Sequence, residues 1–141
     1  MKIIAVDLGL VRTGLAISDP SETLASPVGA ISERNEERLL QKVAACAAEH
    51  GAQRLVVGHP RNMDGSRGES ARRAEAFAQA LEQETGLPVE LWDERLTTVS
   101  AAGYLNQTDT RGKKRKAVID TVAATIILQD YLEGRRGQAG K

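Results

Sequence analysis

Two short apolar runs joined by one tight turn set the strongest limit on how this chain can fold. Lys2–Leu8 reads as a buried strand and Gly14–Ser18 as its hairpin partner, connected by the short turn around Leu10–Thr13. A strand normally stops on a turn former, so Asp7 and Gly9 can be read as plain punctuation. The stretch "AVDLGLVRTGLAIS" nevertheless places a carboxylate at the end of a very apolar strand, then runs glycine, basic residue and glycine straight into the next one.

After the hairpin the pattern turns to alternation. Ser26–Ile31 is a weaker strand, edge-like because Pro27 removes a ladder donor. Asn35 is an N-cap for Glu36–His50, where Leu39, Leu40, Val43, Ala44 and Ala47 share one helical face and Gly51 ends the run. Arg54–Gly58, short and β-branched, reads as a buried strand. A helix from about Glu69 to Thr85 carries Ala74, Phe77, Ala78 and Leu81 on one side and stops at Gly86 and Pro88. "VELWDERL" from Val89 is the next strand, Thr97 or Thr98 caps a short helix to about Asn106, and Ala117–Glu133 is a helix apolar enough to be largely buried. The order β-β-β-α-β-α-β-α-α predicts an α/β fold with a mixed sheet and helices on both faces.

Length and composition narrow the class further. A chain of 141 residues, 41% apolar and 27% charged, suits a single globular domain over residues 1–141. No apolar run is long enough to span a bilayer, and Met1–Val6 is followed at once by Asp7 and Gly9, so the expectation is a cytoplasmic protein with no membrane partner. Cys46 shares a helical face with Leu39 and Val43 and reads as a small hydrophobe. Net charge is zero, so the overall field hints at no partner, but "RGKKRK" gathers Arg111, Lys113, Lys114, Arg115 and Lys116 with no acid among them. Preceded by Asn, Gln, Thr and Asp, this run is expected to be a polar loop, either merely solvated or in contact with phosphate.

Three acids stand in places that cost energy. Asp7 and Glu94 both end strands, and the carboxyl ends of adjacent strands in a wound sheet converge on one crevice. Asp120 interrupts the most apolar helix of the chain, where an ionised carboxylate needs a partner. Lys116, one turn earlier, is one such partner, and a structural salt bridge is one reading. The other takes the three together: carboxylates converging on a sheet end repel one another, and a hard divalent cation bound through oxygen offsets that repulsion. Without histidine or cysteine ligands the set points to Mg²⁺ or Mn²⁺, and two such ions catalyse phosphodiester hydrolysis. Lys113, Lys114, Arg115 and Lys116 would then hold the phosphate backbone.

"AVDLGLVRTGLAIS", "VVGHPRNMDGS", "DERLTT" and "KAVIDTVAATIIL", four blocks in order over essentially the whole chain, resemble the signature of the YqgF/RuvX family, bacterial nucleases of the ribonuclease H-like superfamily. The resemblance implies a five-stranded ribonuclease H-like fold and a catalytic, metal-binding trio at Asp7, Glu94 and Asp120. It also implies one of two activities, Holliday junction resolution or maturation of the 5′ end of pre-16S rRNA, which differ only in the shape recognised. Two positions depart from the family pattern: His59 stands where an aliphatic residue is expected, and Thr121 follows the last acid where serine is common.

His59 reads either as a strand-end residue bonded to a loop or as a contact to phosphate or water near the metals. Arg12, in the turn after Asp7, can neutralise phosphate or stay solvated, and Arg95 can orient Glu94, meet substrate, or face away by strand alternation. Two other classes compete with the nuclease. "DLGLVRTG" resembles the first phosphate loop of actin-like and sugar-kinase-like domains, but those proteins need two lobes. A non-catalytic nucleic-acid-binding module of the same fold is the remaining alternative, although carboxylates that repel phosphate give a mere binder nothing. A homodimer would suit symmetric cutting of a junction.

Overall fold

The computed structural model describes residues 1–60, 64, 66–94 and 112–139, with side chains of the last segment described from 121 to 135. The elements are β1 (Ile3–Asp7), β2 (Arg12–Ser18), β3 (Ala25–Ser32), α1 (Glu36–His50), β4 (Arg54–His59), α2 (Glu69–Thr85), β5 (Val89–Asp93) and α3 (Gly112–Ala139). The strands form one five-stranded sheet in the order β3-β2-β1-β4-β5. β1, β2 and β3 pair antiparallel, while β4 joins β1 and β5 joins β4 in parallel. The parallel pairs require crossovers, which α1 and α2 supply.

Alternation along the strands fills two cores. Ile4, Val6, Leu15, Leu55 and Val57 point to one face, where Leu39, Val43 and Ala47 of α1 and Ala74, Phe77 and Leu81 of α2 cover them. Ile3, Ala5, Ala16 and Val56 point to the other, under Ala124, Ile127, Leu128, Tyr131 and Leu132 of α3. Helices thus cover both faces, as the element order predicts. Local signals hold as well: Asn35 Oδ1 accepts from Arg38 N at 3.0 Å, and Gly51 closes α1 in the left-handed region at φ 69°. Pro27 sits on edge strand β3, where its missing N–H costs no interior ladder bond.

Several boundaries differ from expectation, most by one residue and three by more. β2 begins at Arg12 rather than Gly14, because Arg12 still pairs with Ser32 and Thr13 with Ile31. The basic run is not a loop: α3 starts at Gly112, so Lys113, Lys114, Arg115 and Lys116 lie in its first turns. Lysine and arginine are good helix formers, and nothing after Gly112 breaks the backbone ladder before Ala117. At its far end α3 passes Glu133 and Gly134 to reach Ala139, with Arg135 held by Glu22 and stacked over the Tyr131 ring. The short helix expected between Thr97 and Asn106 lies outside the described residues.

The contacts of α3 fix its direction. Ile127 approaches Gly58 at the carboxyl end of β4, Tyr131 Oη lies 3.4 Å from Arg54 at the start of that strand, and Arg135 reaches Glu22, which also pairs with the Met1 amino group. α3 therefore runs antiparallel to β1 and β4. Its earlier turns extend toward the sheet end that carries Asp7. Among the described residues no helix is long and apolar enough to cross a membrane.

Candidate active site

A cleft of about 450 Å³ opens at the carboxyl ends of β1 and β4. Its walls are the end of β1 with the turn that follows it, Gly58 and Pro60 after β4, the first turns of α2, and Glu94 one residue past β5. Parallel β1, β4 and β5 bring these ends together, the place where wound sheets bind ligands.

Asp7 and Glu94 meet there. Their carboxyl groups are hydrogen-bonded, and burial, the charge of Asp7 and that of Asp93 push the Glu94 carboxyl up to about 8. A proton between two carboxyl groups therefore does what a cation would do at neutral pH, lowering the repulsion of two acids in one crevice. The donor set is all oxygen, which fits a hard divalent cation. Gly58 makes this approach possible. A Cβ on Gly58 would lie 2.7 Å from Glu94 Oε1 and 3.1 Å from the Ile127 Cδ1 atom, so no side chain fits between β4 and the carboxylate.

The turn after Asp7 is fixed from several sides. Gly9 N donates to Thr13 Oγ1 at 3.3 Å, and the Gly9 carbonyl accepts from Arg73 Nη1 at 3.0 Å. A Cβ on Gly9 would fall 1.8 Å from the Arg12 carbonyl oxygen, so glycine is required for the turn to close. Arg73 also bonds through Nε to Glu36 of α1, which ties the turn, α1 and α2 into one wall. Neither Arg73 nor Gly58 stands out in the sequence. Arg73 is one of several charges on an amphipathic helix, and only its position four residues after Glu69 on the cleft side of α2 could have pointed to it.

The remaining candidates fall in different places. Asp120 lies in α3, four residues before Ala124 and seven before Ile127, both packed in the core under the sheet. The axis of α3 passes Gly58 at Ile127, and its earlier turns continue toward the Asp7 end. The side chains of Asp120, Lys113, Lys114, Arg115 and Lys116, and all of Arg95, lie outside the described residues. Arg12 opens β2 opposite Ser32 and is not among the residues lining the cleft. His59 is buried, 5% exposed, with Nε2 2.6 Å from Glu75 Oε2. Glu75 in turn accepts from Arg67, so His59 points to α2 and braces the loop that leads into it. Among the described residues no three His, Cys, Asp or Glu side chains gather as a metal site, which leaves Asp7 and Glu94 as a pair.

Comparison with known proteins bears on the fold and the activity. The profile of the RuvX family, described as Holliday junction resolvase, matches residues 1–134. A protein of Moorella thermoacetica named "Putative pre-16S rRNA nuclease" is 45% identical over 140 residues, covering 99% of both chains. One of the same name from Lachnospira eligens is 42% identical over 139 residues, covering 96% of this chain and 99% of its own. Among solved structures, RuvC of Thermus thermophilus in complex with a Holliday junction substrate superposes with a TM-score of 0.63 at 13% identity, covering 97% of this chain and 96% of that one. The fowlpox virus Holliday junction resolvase gives 0.59 at 11%, covering 95% and 99%. At such identities the last two speak for a shared ribonuclease H-like fold alone. The full-length family match and the close relatives go further: this chain belongs to the RuvX family and is a nuclease.

Proposed function

We propose that the cleft hydrolyses phosphodiester bonds of structured nucleic acid with Mg²⁺ or Mn²⁺, two ions held by Asp7, Glu94 and Asp120. The observation that carries this reading is the hydrogen-bonded Asp7–Glu94 pair, two carboxyl groups pressed together at a sheet end with one driven up to about 8. Bound there, the ions would activate water and stabilise the leaving oxygen. The chain's own residues do the rest. Glu94 would give up its proton to bind a cation, Gly58 leaves the room its carboxylate occupies, and Arg73 keeps the turn after Asp7 in register. Arg12, Arg95, Lys113, Lys114, Arg115 and Lys116 are the cations for the phosphate backbone.

The substrate is one of two. Relatives at 42–45% identity carry a pre-16S rRNA name, and the family description is that of a junction resolvase. We place the chain in the cytoplasm at the 5′ end of the rRNA precursor as the first case to test. The junction reading adds a requirement, since symmetric cuts in two strands call for two copies of the chain. Incubating the protein and its Asp120→Asn variant with Mn²⁺, a labelled four-way DNA junction and an RNA carrying the precursor 5′ leader separates the cases. Removal of the leader, lost in the variant, supports maturation. Paired nicks at the branch support resolution, and binding without any cut returns the chain to a non-catalytic module.

A further inference from the structure

The tip of the turn between β1 and β2 carries an unusual residue for its position. Leu10 is 78% exposed and Val11 43%, in a turn where polar residues are the rule. A lone exposed leucine means little. Here, however, the backbone around it is pinned: Gly9 is bonded at both its N–H and its carbonyl, and the Val11 carbonyl accepts from Glu33 N at 2.9 Å. Leu8, on the same turn, packs against the core, while Leu10 does not. The turn therefore holds an apolar side chain outward, and Leu10 also lines the cleft, three residues from Asp7.

We infer that Leu10, backed by Val11, is an apolar wedge that meets an unstacked nucleobase beside the scissile phosphate. The inference rests on the reading of the cleft as a site of nucleic-acid hydrolysis. A phosphate or sugar offers such a tip no suitable surface, whereas the face of a base freed at a branch or a strand end does. Leucine is among the residues that nucleic-acid-binding proteins insert at opened base steps. The tip supplies the contact that favours a distorted or unpaired nucleotide over a regular duplex.

The test uses the full chain and its Leu10→Ser variant on the junction and the leader RNA, each made with an intact nucleotide and with an abasic site next to the mapped cut. On the intact substrate Leu10→Ser is expected to lower kcat/KM by roughly five- to tenfold, the worth of an apolar side chain about half buried on binding. On the abasic substrate the two proteins are expected to cut equally, with unchanged melting temperature. In the Asp7→Asn background, 2-aminopurine at that nucleotide should brighten on binding and fail to do so once Leu10→Ser is added. Equal kinetics on the intact substrate, or the same loss on the abasic one, overturns the wedge while leaving the nuclease reading standing. A wild-type protein that cuts neither substrate overturns the nuclease reading, and the wedge with it.

Discussion

At the scale of single residues, the site depends on one glycine and one glutamate. Gly58→Ala would drive a methyl group to 2.7 Å from Glu94 Oε1, and the carboxylate would have to move. Displacing a catalytic group by an ångström costs on the order of a hundredfold in rate, so cleavage should fall by about that much while circular dichroism stays native. Glu94 makes a separate prediction. In the unfolded chain its carboxyl has the ordinary value of 4.5, and in the fold it is raised to about 8. Between those values the folded protein holds a proton that the unfolded chain has released. Stability measured by urea denaturation in chelator should therefore fall as pH rises from about 4.5 to about 8, and Glu94→Gln should flatten that slope. Asp7 and Glu94 were visible in the sequence because acids at the ends of apolar strands break the strand pattern. Gly58 was not, since a glycine at a strand end looks like ordinary punctuation until the neighbouring carboxylate is seen.

At the scale of elements, the first turn is a joint held by α2. Arg73→Ala removes the bond to the Gly9 carbonyl and the contact with Glu36, and should cost about 1–2 kcal/mol in thermal denaturation together with roughly tenfold in cleavage. Arg73→Lys should not restore either, because an ammonium cannot bond both partners in the fixed fork of a guanidinium. Full activity in Arg73→Ala would show that the turn holds without it. The strands and the first two helices were legible because their apolar periodicity and their caps agree. The basic run was not: charge and polar neighbours suggested a loop, while the backbone continued α3 back to Gly112, a choice that lysine and arginine permit and that only their helical propensity could have signalled. His59 reads from sequence as a loop contact or a site residue, and its bond to Glu75 puts it against α2 as a brace.

At the scale of the whole molecule, the two faces of the sheet divide the work. α1 and α2 cover one and build a wall of the cleft, while α3 covers the other and runs away from the same sheet end, with Asp120 in its early turns. A chain with zero net charge can still hold nucleic acid, because its cations need only be local to the cleft. The ribonuclease H-like arrangement was legible through the resemblance of four ordered sequence blocks to a family signature, whereas the element order by itself pointed only to a mixed sheet with helices on both faces. Titrating Mn²⁺ into the wild type and into the Asp7→Asn, Glu94→Gln and Asp120→Asn variants by calorimetry addresses the centre of this reading. Saturable binding in the wild type, with proton release near neutral pH and at least tenfold weaker binding in each variant, is the expected result. Undiminished binding in the variants, or none in the wild type, would contradict a divalent-cation site built on these three carboxylates.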